Sequence, residues 1–306
     1  NAAAAFSQIE NGMLLDLAHD AMKNGSVMRA VYEQPALARQ DGLWMLNNKR
    51  WGRIGGVNGH GYNLTIGKDF LSDEHGYYGL LFDYGSNTVS GAAGSGEYDS
   101  YSLGLYAGNK NKPGSITGFV SYGLQANKGT AYLPVLGQTA ESGYDSKTLG
   151  IGVEYAYDLD YGKPEELWHV SPYAKLNFTH YRQKAFREHG AGVFDRSFGS
   201  YSDNYAEGEL GLSFDRSEGT GGYGIRLGYK RILTGERQLM EVCFAEDECG
   251  SLLPVRSWGE GRNHFVAAAY VRHDFSRKWS AGGSLSGDWS NGGREIGARL
   301  DLAYHF

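Results

Sequence analysis

The final thirteen residues, REIGARLDLAYHF, alternate without a break. Glu295, Gly297, Arg299, Asp301, Ala303 and His305 take one set of alternate positions, and Ile296, Ala298, Leu300, Leu302, Tyr304 and Phe306 take the other. A period of two marks an extended strand, because successive side chains point to opposite faces, here one polar or charged and one apolar. Strands of soluble sheets usually run about five or six residues, whereas about nine to eleven tilted residues cross a bilayer. This segment is long enough to cross.

The same rule recurs from Gly42 onward. YNLTIGKDF (62–70) sets Tyr62, Leu64, Ile66 and Phe70 against Asn63, Thr65, Gly67 and Asp69, and GYYGLLFDYG (76–85) sets Tyr78, Leu80, Phe82 and Tyr84 against Gly79, Leu81 and Asp83. LGIGVEYAY (149–157) sets Leu149, Ile151, Val153, Tyr155 and Tyr157 against Gly150, Gly152, Glu154 and Ala156. AEGELGLSFD (206–215) sets Leu210, Leu212 and Phe214 against Glu207, Glu209, Gly211 and Ser213. The pattern predicts about twelve strands, near 42–55, 60–71, 76–87, 97–108, 114–126, 144–158, 167–181, 203–216, 221–233, 262–275, 278–290 and 294–306.

The connections differ by side. SDEH, NKNKP, SEGTG and SRK are short, whereas the stretches near 127–143, 182–202 and 234–261 are long. An even number of antiparallel strands with short turns on one side and long loops on the other is the signature of a barrel in a bacterial outer membrane. Two features depart from it: LDYGKPEE is long for a periplasmic turn, and the first and last external loops, near Gly56–Asn58 and Ser290–Gly293, are short.

A soluble sandwich of the same strand count is the alternative. Against it, the apolar faces carry aromatic residues at their ends: Tyr62 and Phe70, Tyr78 and Tyr84, Trp168, Trp279 and Trp289, Tyr304 and Phe306. Aromatic girdles at both interfaces are a membrane feature. The opposite faces carry Glu154, Lys175, Glu207, Glu209, Arg226, Lys230, Arg272, Arg299 and Asp301, which a dry core would not accept unpaired. These are read as lumen-facing. The fold class is therefore all-β: a closed antiparallel transmembrane β-barrel of about twelve strands.

Residues 1–25 differ from the rest. SQIENGMLLDLAHDAMKNG is rich in helix formers and stops at Asn24-Gly25. Leu14, Leu17, Ala18 and Ala21 make one apolar stripe, and Asp16 and Asp20 lie four apart on a charged face. A barrel of about twelve strands falls between eight-stranded barrels filled by side chains and sixteen-stranded porins with an open channel, so its lumen is about wide enough for one helix. The expectation is a pore helix over about 8–24 within a linker of residues 1–25, followed by the barrel over 42–306. Asp16, His19 and Asp20 would face the charged wall, with Arg226, Lys230, Arg272 and Arg299 as candidate partners. A position of the helix on the periplasmic side stays open.

Composition narrows the function. The 306 residues include 46 Gly, 22 Tyr and 6 Pro, and the mean hydropathy of -0.46, with no apolar run near eighteen residues, excludes helical membrane spans. It does not exclude a barrel, whose alternating faces average to hydrophilic. A net charge of -6 argues against a nucleic-acid partner. Cys243 and Cys249, in CFAEDEC, read as a hairpin-loop disulfide from an oxidising compartment, with two free thiols as the alternative; no matching His or Cys pair suggests zinc. NAAAAFSQIENG has no basic n-region and no h-region, so the chain is expected to be a fragment of a longer precursor or to have lost its signal.

The helix before the barrel, the aromatic ending LAYHF, and the opening stretch GLWMLNNKRWGRIGG with HGYNLTIGKDF together resemble the translocator domain of the autotransporters, the type V secretion proteins of Gram-negative bacteria. The resemblance covers essentially the whole chain and leans, within the family, towards the neisserial subtilisin-like autotransporter, whose protease would lie upstream. It implies an outer-membrane monomer that supports export of its own passenger to the cell surface and is plugged afterwards by its helix, without cofactors or metal. It also implies that Leu300, Leu302, Tyr304 and Phe306 are read by the outer-membrane assembly machinery, while Phe306 as one more girdle aromatic remains compatible with that role. Lipid and lipopolysaccharide would surround it. Asn1 is either a cleavage product end, as in family members that cut at an asparagine inside the pore, or an arbitrary end.

Catalytic motifs do not appear: there is no GxSxG, HExxH or CxxC, and the Gly-rich GAAGSGEY reads as a turn before a strand. The rival readings are an outer-membrane barrel hydrolase and a narrow diffusion porin. For the hydrolase, His60, His169, His180, His264 and His273 are available, with His169 and His264 in the lumen register and His180 and His273 in the lipid register. Its mark would be a nucleophile within hydrogen-bond reach of a base.

Overall fold

The computed structural model describes residues 10, 12–24, 42–72, 75–109 and 112–306. Among the described residues one helix, α1 (Met13–Asn24), precedes sixteen strands: β1 (Gly42–Ile54), β2 (Val57–Ser72), β3 (Gly76–Gly91), β4 (Gly94–Asn109), β5 (Gly114–Leu133), β6 (Gln138–Tyr157), β7 (His169–Gln183), β8 (Phe186–Arg187), β9 (Arg196–Phe198), β10 (Tyr201–Glu218), β11 (Gly221–Thr234), β12 (Leu239–Phe244), β13 (Leu252–Arg256), β14 (Asn263–Asp274), β15 (Trp279–Ser290) and β16 (Gly293–His305). Twelve of them close an antiparallel barrel in the order β1-β16-β15-β14-β11-β10-β7-β6-β5-β4-β3-β2. Closure is made by β1 and β16, paired from Gly42↔His305 to Ile54↔Gly293. It leaves the barrel no sheet edge, which lipid would penalise because it offers no hydrogen-bond partner.

Alternation sorts the wall. On β16, Ile296, Leu300 and Leu302 are exposed to the outside while Glu295, Arg299, Asp301 and His305 are buried inside. The same holds on β3, where Tyr78, Leu80 and Phe82 point out and Leu81 and Asp83 point in. The exposed apolar band is therefore the lipid face.

Three corrections concern the connections. The stretch 127–143 is not a long loop, because β5 runs on to Leu133 and β6 starts at Gln138, joined by a turn through Gly137 at φ 65°. Beyond the membrane the outward face meets water and turns polar, as at Lys128 and Glu141, while the inward face stays buried at Ala131, Leu133 and Ala140, so the polar and apolar faces exchange sides and the polar composition mimics a loop. The stretches 182–202 and 234–261 carry β8, β9, β12 and β13, which form a separate four-stranded sheet in the order β13-β12-β9-β8 over the external mouth. Cys243 and Cys249 are joined by a disulfide in this region, with a Cα–Cα distance of 4.8 Å.

The long periplasmic turn LDYGKPEE is held by its own polar groups. Asp158 accepts from Lys112 Nζ at 3.3 Å and meets His169 Nδ1 at 3.1 Å, and the Asp160 carboxylate accepts the Val170 N–H at 2.9 Å. Burial pushes the Asp158 carboxyl up, but the Asp160 backbone N–H, His169 and Lys112 outweigh it and hold the group below its ordinary value.

The largest buried cluster lies inside the barrel around α1. Leu14, Leu15, Leu17, Ala18, Ala21 and Met22 pack against wall residues Tyr98, Tyr144, Tyr181 and Tyr205 and against Met240, Val242 and Val255 of the external sheet. Every residue from Met13 to Asn24 is buried, so the helix has no solvent face. This extends the four-residue apolar stripe of the sequence to both flanks. Residues 1–9, 11 and 25 of the expected linker, which include residues 8, 9 and 11 of the expected helix and Asn1, lie outside the described residues.

Candidate functional site

The site is the occupied lumen. At twelve residues, α1 is about 18 Å long, against a hydrocarbon thickness of about 30 Å. It fills the external half: its N-terminal end reaches the connection after β13, where Asp16 Oδ1 accepts the Trp258 N–H at 2.7 Å.

Asp20 makes the firmest link. Its two oxygens lie 2.6 and 3.0 Å from Nη2 and Nη1 of Arg50, and Tyr98 donates to it at 2.7 Å. Arg50 in turn donates to Asn87 at 2.7 Å and meets Glu295 at 3.4 Å. His19 Nε2 stands 3.1 Å from Glu260 Oε1, and Lys23 Nζ donates to Glu260 Oε2 at 2.6 Å and lies 3.8 Å from Asp288. Burial pushes the Glu260 carboxyl up, but the charges of Lys23, His19 and Lys230 overcome it and hold the group well below the usual carboxylate range.

The candidate partners Arg226, Lys230, Arg272 and Arg299 are therefore corrected: each is engaged with the wall rather than directly with the helix. Arg226 pairs with Glu154 at 2.9 Å, and Lys175 lies 3.9 Å from Glu154 and 3.5 Å from Glu209. Lys230 lies 3.6 Å from Glu207 and donates to Asp288. Arg272 meets Asp274 at 3.4 Å, and Arg299 meets Asp301 at 3.8 Å. Beneath α1 a cavity of about 130 Å³ is lined by Lys23, Lys175, Glu207, Glu209, Arg226 and Lys230.

Sequence reasoning missed Arg50, Glu260 and Lys23. The inward register of Arg50 was available from Trp44 and Leu46 on the same strand, but Lys49 beside it blurs the alternation. Glu260 lies in a connection without periodicity.

Of the histidines, His264 is buried and its Nδ1 meets Asp288 at 2.5 Å, His169 sits on the periplasmic turn, and His180 meets Asn204 at 2.7 Å on the outer side. One serine lies near a histidine: Ser280 Oγ is 3.3 Å from His305 Nε2, buried in the wall at the periplasmic end. Among the described residues His305 Nδ1 has no hydrogen-bond partner, so no carboxylate of theirs orients that ring by a hydrogen bond. The outward residues at the end of the chain stack: Trp279 against Tyr304 at 4.9 Å and Tyr304 edge-on to Phe306 at 5.5 Å. Leu300 and Leu302 continue the outward face of the same strand.

The sequence profile of the family described as Autotransporter beta-domain matches residues 43–286. The chain belongs to that family. It is thus an outer-membrane translocator domain, the membrane-embedded part of a type V secretion protein. Sequence comparison with curated proteins finds no match. Among solved structures, it is similar to the translocator domain of autotransporter NalP from Neisseria meningitidis (19% identity, 95% of this chain and 98% of that one, TM-score 0.76). It is also similar to the β domain of the Bordetella autotransporter BrkA (16% identity, 88% and 100%, TM-score 0.66) and to the transport unit of AIDA-I from Escherichia coli (12% identity, 97% and 99%, TM-score 0.63). At these identities the likeness to each concerns the fold, so the lean towards a subtilisin-like passenger gains nothing from it.

Proposed function

We propose that this domain supports export of a passenger joined to its N-terminal side and that α1 remains in the lumen afterwards and closes it. The carrying observation is that α1 is buried on every side and tied at two levels, through Asp20 to Arg50 and through Lys23 and His19 to Glu260. A general-diffusion porin has no use for such ties. In this reading Asp16, His19 and Asp20 are docking residues, and Glu154, Lys175, Glu207, Glu209, Arg226, Lys230, Arg272, Arg299 and Asp301 keep the wall hydrated for a passing chain. The remaining partners are the assembly machinery, reading Leu300, Leu302, Tyr304 and Phe306, and the surrounding lipid.

On this reading the chain performs no bond chemistry and works as a monomer. Support for the first comes from the Ser280 and His305 pair, in which no carboxylate among the described residues hydrogen-bonds the ring and which sits buried in the wall. The test is single-channel conductance in a planar bilayer, comparing residues 1–306 with a chain lacking 1–24. The expected result is low conductance that rises several-fold on deletion. Equal opening of both would return the porin reading, and persistent closure of both would mean that wall side chains and the external sheet fill the pore.

A further inference from the structure

The outer wall carries a charge arrangement that translocation does not explain. Lys147 on β6 and Arg182 on β7 are direct cross-strand partners, and both project outward. Like charges placed opposite one another in a sheet repel, since their Cβ atoms stand only about 4.5–5.5 Å apart. Neither has a carboxylate partner among the described residues. Lys184, two positions beyond Arg182, adds a third cation; its ammonium lies 3.3 Å from Asp145, and both of those side chains are largely exposed. An anion placed between Lys147 and Arg182 would remove the repulsion.

The neighbours say which kind of anion. Lys147 faces Leu124 on β5, and Leu124 faces Tyr101 on β4, so one outward row runs from aromatic through aliphatic to cationic. Tyr101, Tyr122 and Leu124 are each about half exposed. Together with Lys147, Arg182 and Lys184 they line a groove of about 720 Å³ on the lipid side of the barrel. One residue pair further along the strand register towards the membrane centre lie Leu149 and His180, and below those come Ile151 and Phe178. The cations thus stand at the upper boundary of the apolar band, on the side of the long external connections. That is the level of lipid headgroups in the outer leaflet, and clustered Lys and Arg at that level bind anionic headgroups. A soluble phosphate would need the cations but not the apolar floor.

We propose that the outer wall across β4 to β7 holds one molecule of the phosphorylated glycolipid of the outer leaflet, with its phosphates on Lys147, Arg182 and Lys184 and its acyl chains along Tyr101, Tyr122 and Leu124. The site lies on the opposite face of the wall from α1 and does not depend on whether the helix closes the pore. Bound lipid would hold the projecting β5–β6 hairpin against the membrane surface.

The test is native mass spectrometry of the full chain released from detergent, titrated with bisphosphorylated lipid A, monophosphoryl lipid A or phosphatidylcholine. Wild type should retain one bisphosphorylated lipid A and hold monophosphoryl lipid A and phosphatidylcholine more weakly in that order. Changing Lys147→Gln and Arg182→Gln together should weaken lipid A retention by roughly thirty-fold, from about one headgroup-level cation interaction lost at each position. Lys128→Gln, an exposed cation paired with Glu97 outside the groove, should leave it unchanged. Equal retention of all three lipids would make the groove a non-specific apolar surface and overturn the proposal, as would an unaffected double variant whose heat-modifiable migration shows a folded barrel. Full displacement of lipid A by millimolar pyrophosphate would reassign the cations to a soluble phosphate. The wild-type lipid series decides even if the double variant fails to fold.

Discussion

Asp20 of the pore helix and Arg50 of the first strand form a two-point ion pair, Oδ2 to Nη2 at 2.6 Å and Oδ1 to Nη1 at 3.0 Å, with Arg50 only 2% exposed. A buried pair of this kind contributes little net stability when both members are replaced together, but removing one member leaves the other charge in a poorly solvated place. The arrangement therefore favours one position of α1 over others in the same lumen.

A double-mutant cycle measures this. Asp20→Ala and Arg50→Ala should each raise the open fraction in single-channel records, and the double variant should be less open than the two effects predict together, with a coupling of about 1 to 3 kcal/mol. Arg50 keeps Asn87 and Glu295 when Asp20 is removed, which holds the single effect below that of a fully isolated charge. A coupling near zero would mean that Tyr98, and not Arg50, seats Asp20.

Leu14 is seated by the absence of a side chain. A Cβ on Gly129 of β5 would stand 2.2 Å from Leu14 Cδ2 and 2.9 Å from Ser142 Oγ. Gly129→Leu should weaken helix docking by about 1 to 3 kcal/mol, the range for overpacking, and raise conductance. Adding Leu14→Ala in the same chain should restore most of the closure. If the double variant conducts as freely as Gly129→Leu alone, the substitution acts on the wall and not on the seat of the helix.

Glu260 gives a pH dependence with a definite sign. Its carboxylate is faced by His19 and Lys23 of α1, Tyr205 of β10 and Lys230 of β11, with Asp288 of β15 beyond Lys23. The docked helix holds this carboxyl well below its ordinary value of 4.5, so the docked state binds fewer protons than one with the helix withdrawn. Its contribution is fully present above pH 4.5 and is lost only as the pH falls through the depressed value. Conductance should therefore stay low during acidification to about pH 4.5 and rise below it. Glu260→Gln should leak already at neutral pH. Opening of wild type between pH 6 and 5 would show that another group controls the helix.

What the sequence made legible follows the membrane. Where one face meets lipid and the other a wet lumen, as on β16, period two is nearly unbroken, and the twelve strands and the direction of Leu300 or Arg299 could be read directly. Beyond the lipid the contrast changes sense, with Lys128 and Glu141 outward in water and Ala131, Leu133 and Ala140 buried inward, so these strands read as a loop. The external sheet was invisible for a second reason, because β8 and β9 have two and three residues, too short for any period to show. The partners of α1 were missed because pairing is a property of three-dimensional closure. Arg226 and Lys230 looked equally suited to Asp20, yet cross-strand neighbours and near strands had already supplied them with Glu154, Glu207 and Asp288.

Phe306 separates two roles that the sequence leaves superimposed. The ring is 71% exposed, stacks edge-on to Tyr304, and has Lys68 Nζ 5.7 Å from its centroid, so it makes no contact with the lumen. As a girdle aromatic alone it would matter equally wherever the barrel meets a bilayer interface. As an assembly signal it would matter only where the machinery is present. Deleting Phe306 should therefore change thermal stability of the refolded barrel in detergent little, by under about 1 kcal/mol as for an exposed side chain without special contacts. The amount of heat-modifiable barrel inserted in the outer membrane of cells should nevertheless fall several-fold. A parallel loss in both settings would assign Phe306 to the girdle, and unchanged assembly in cells would remove it, and with it the outward row Leu300, Leu302 and Tyr304, from recognition.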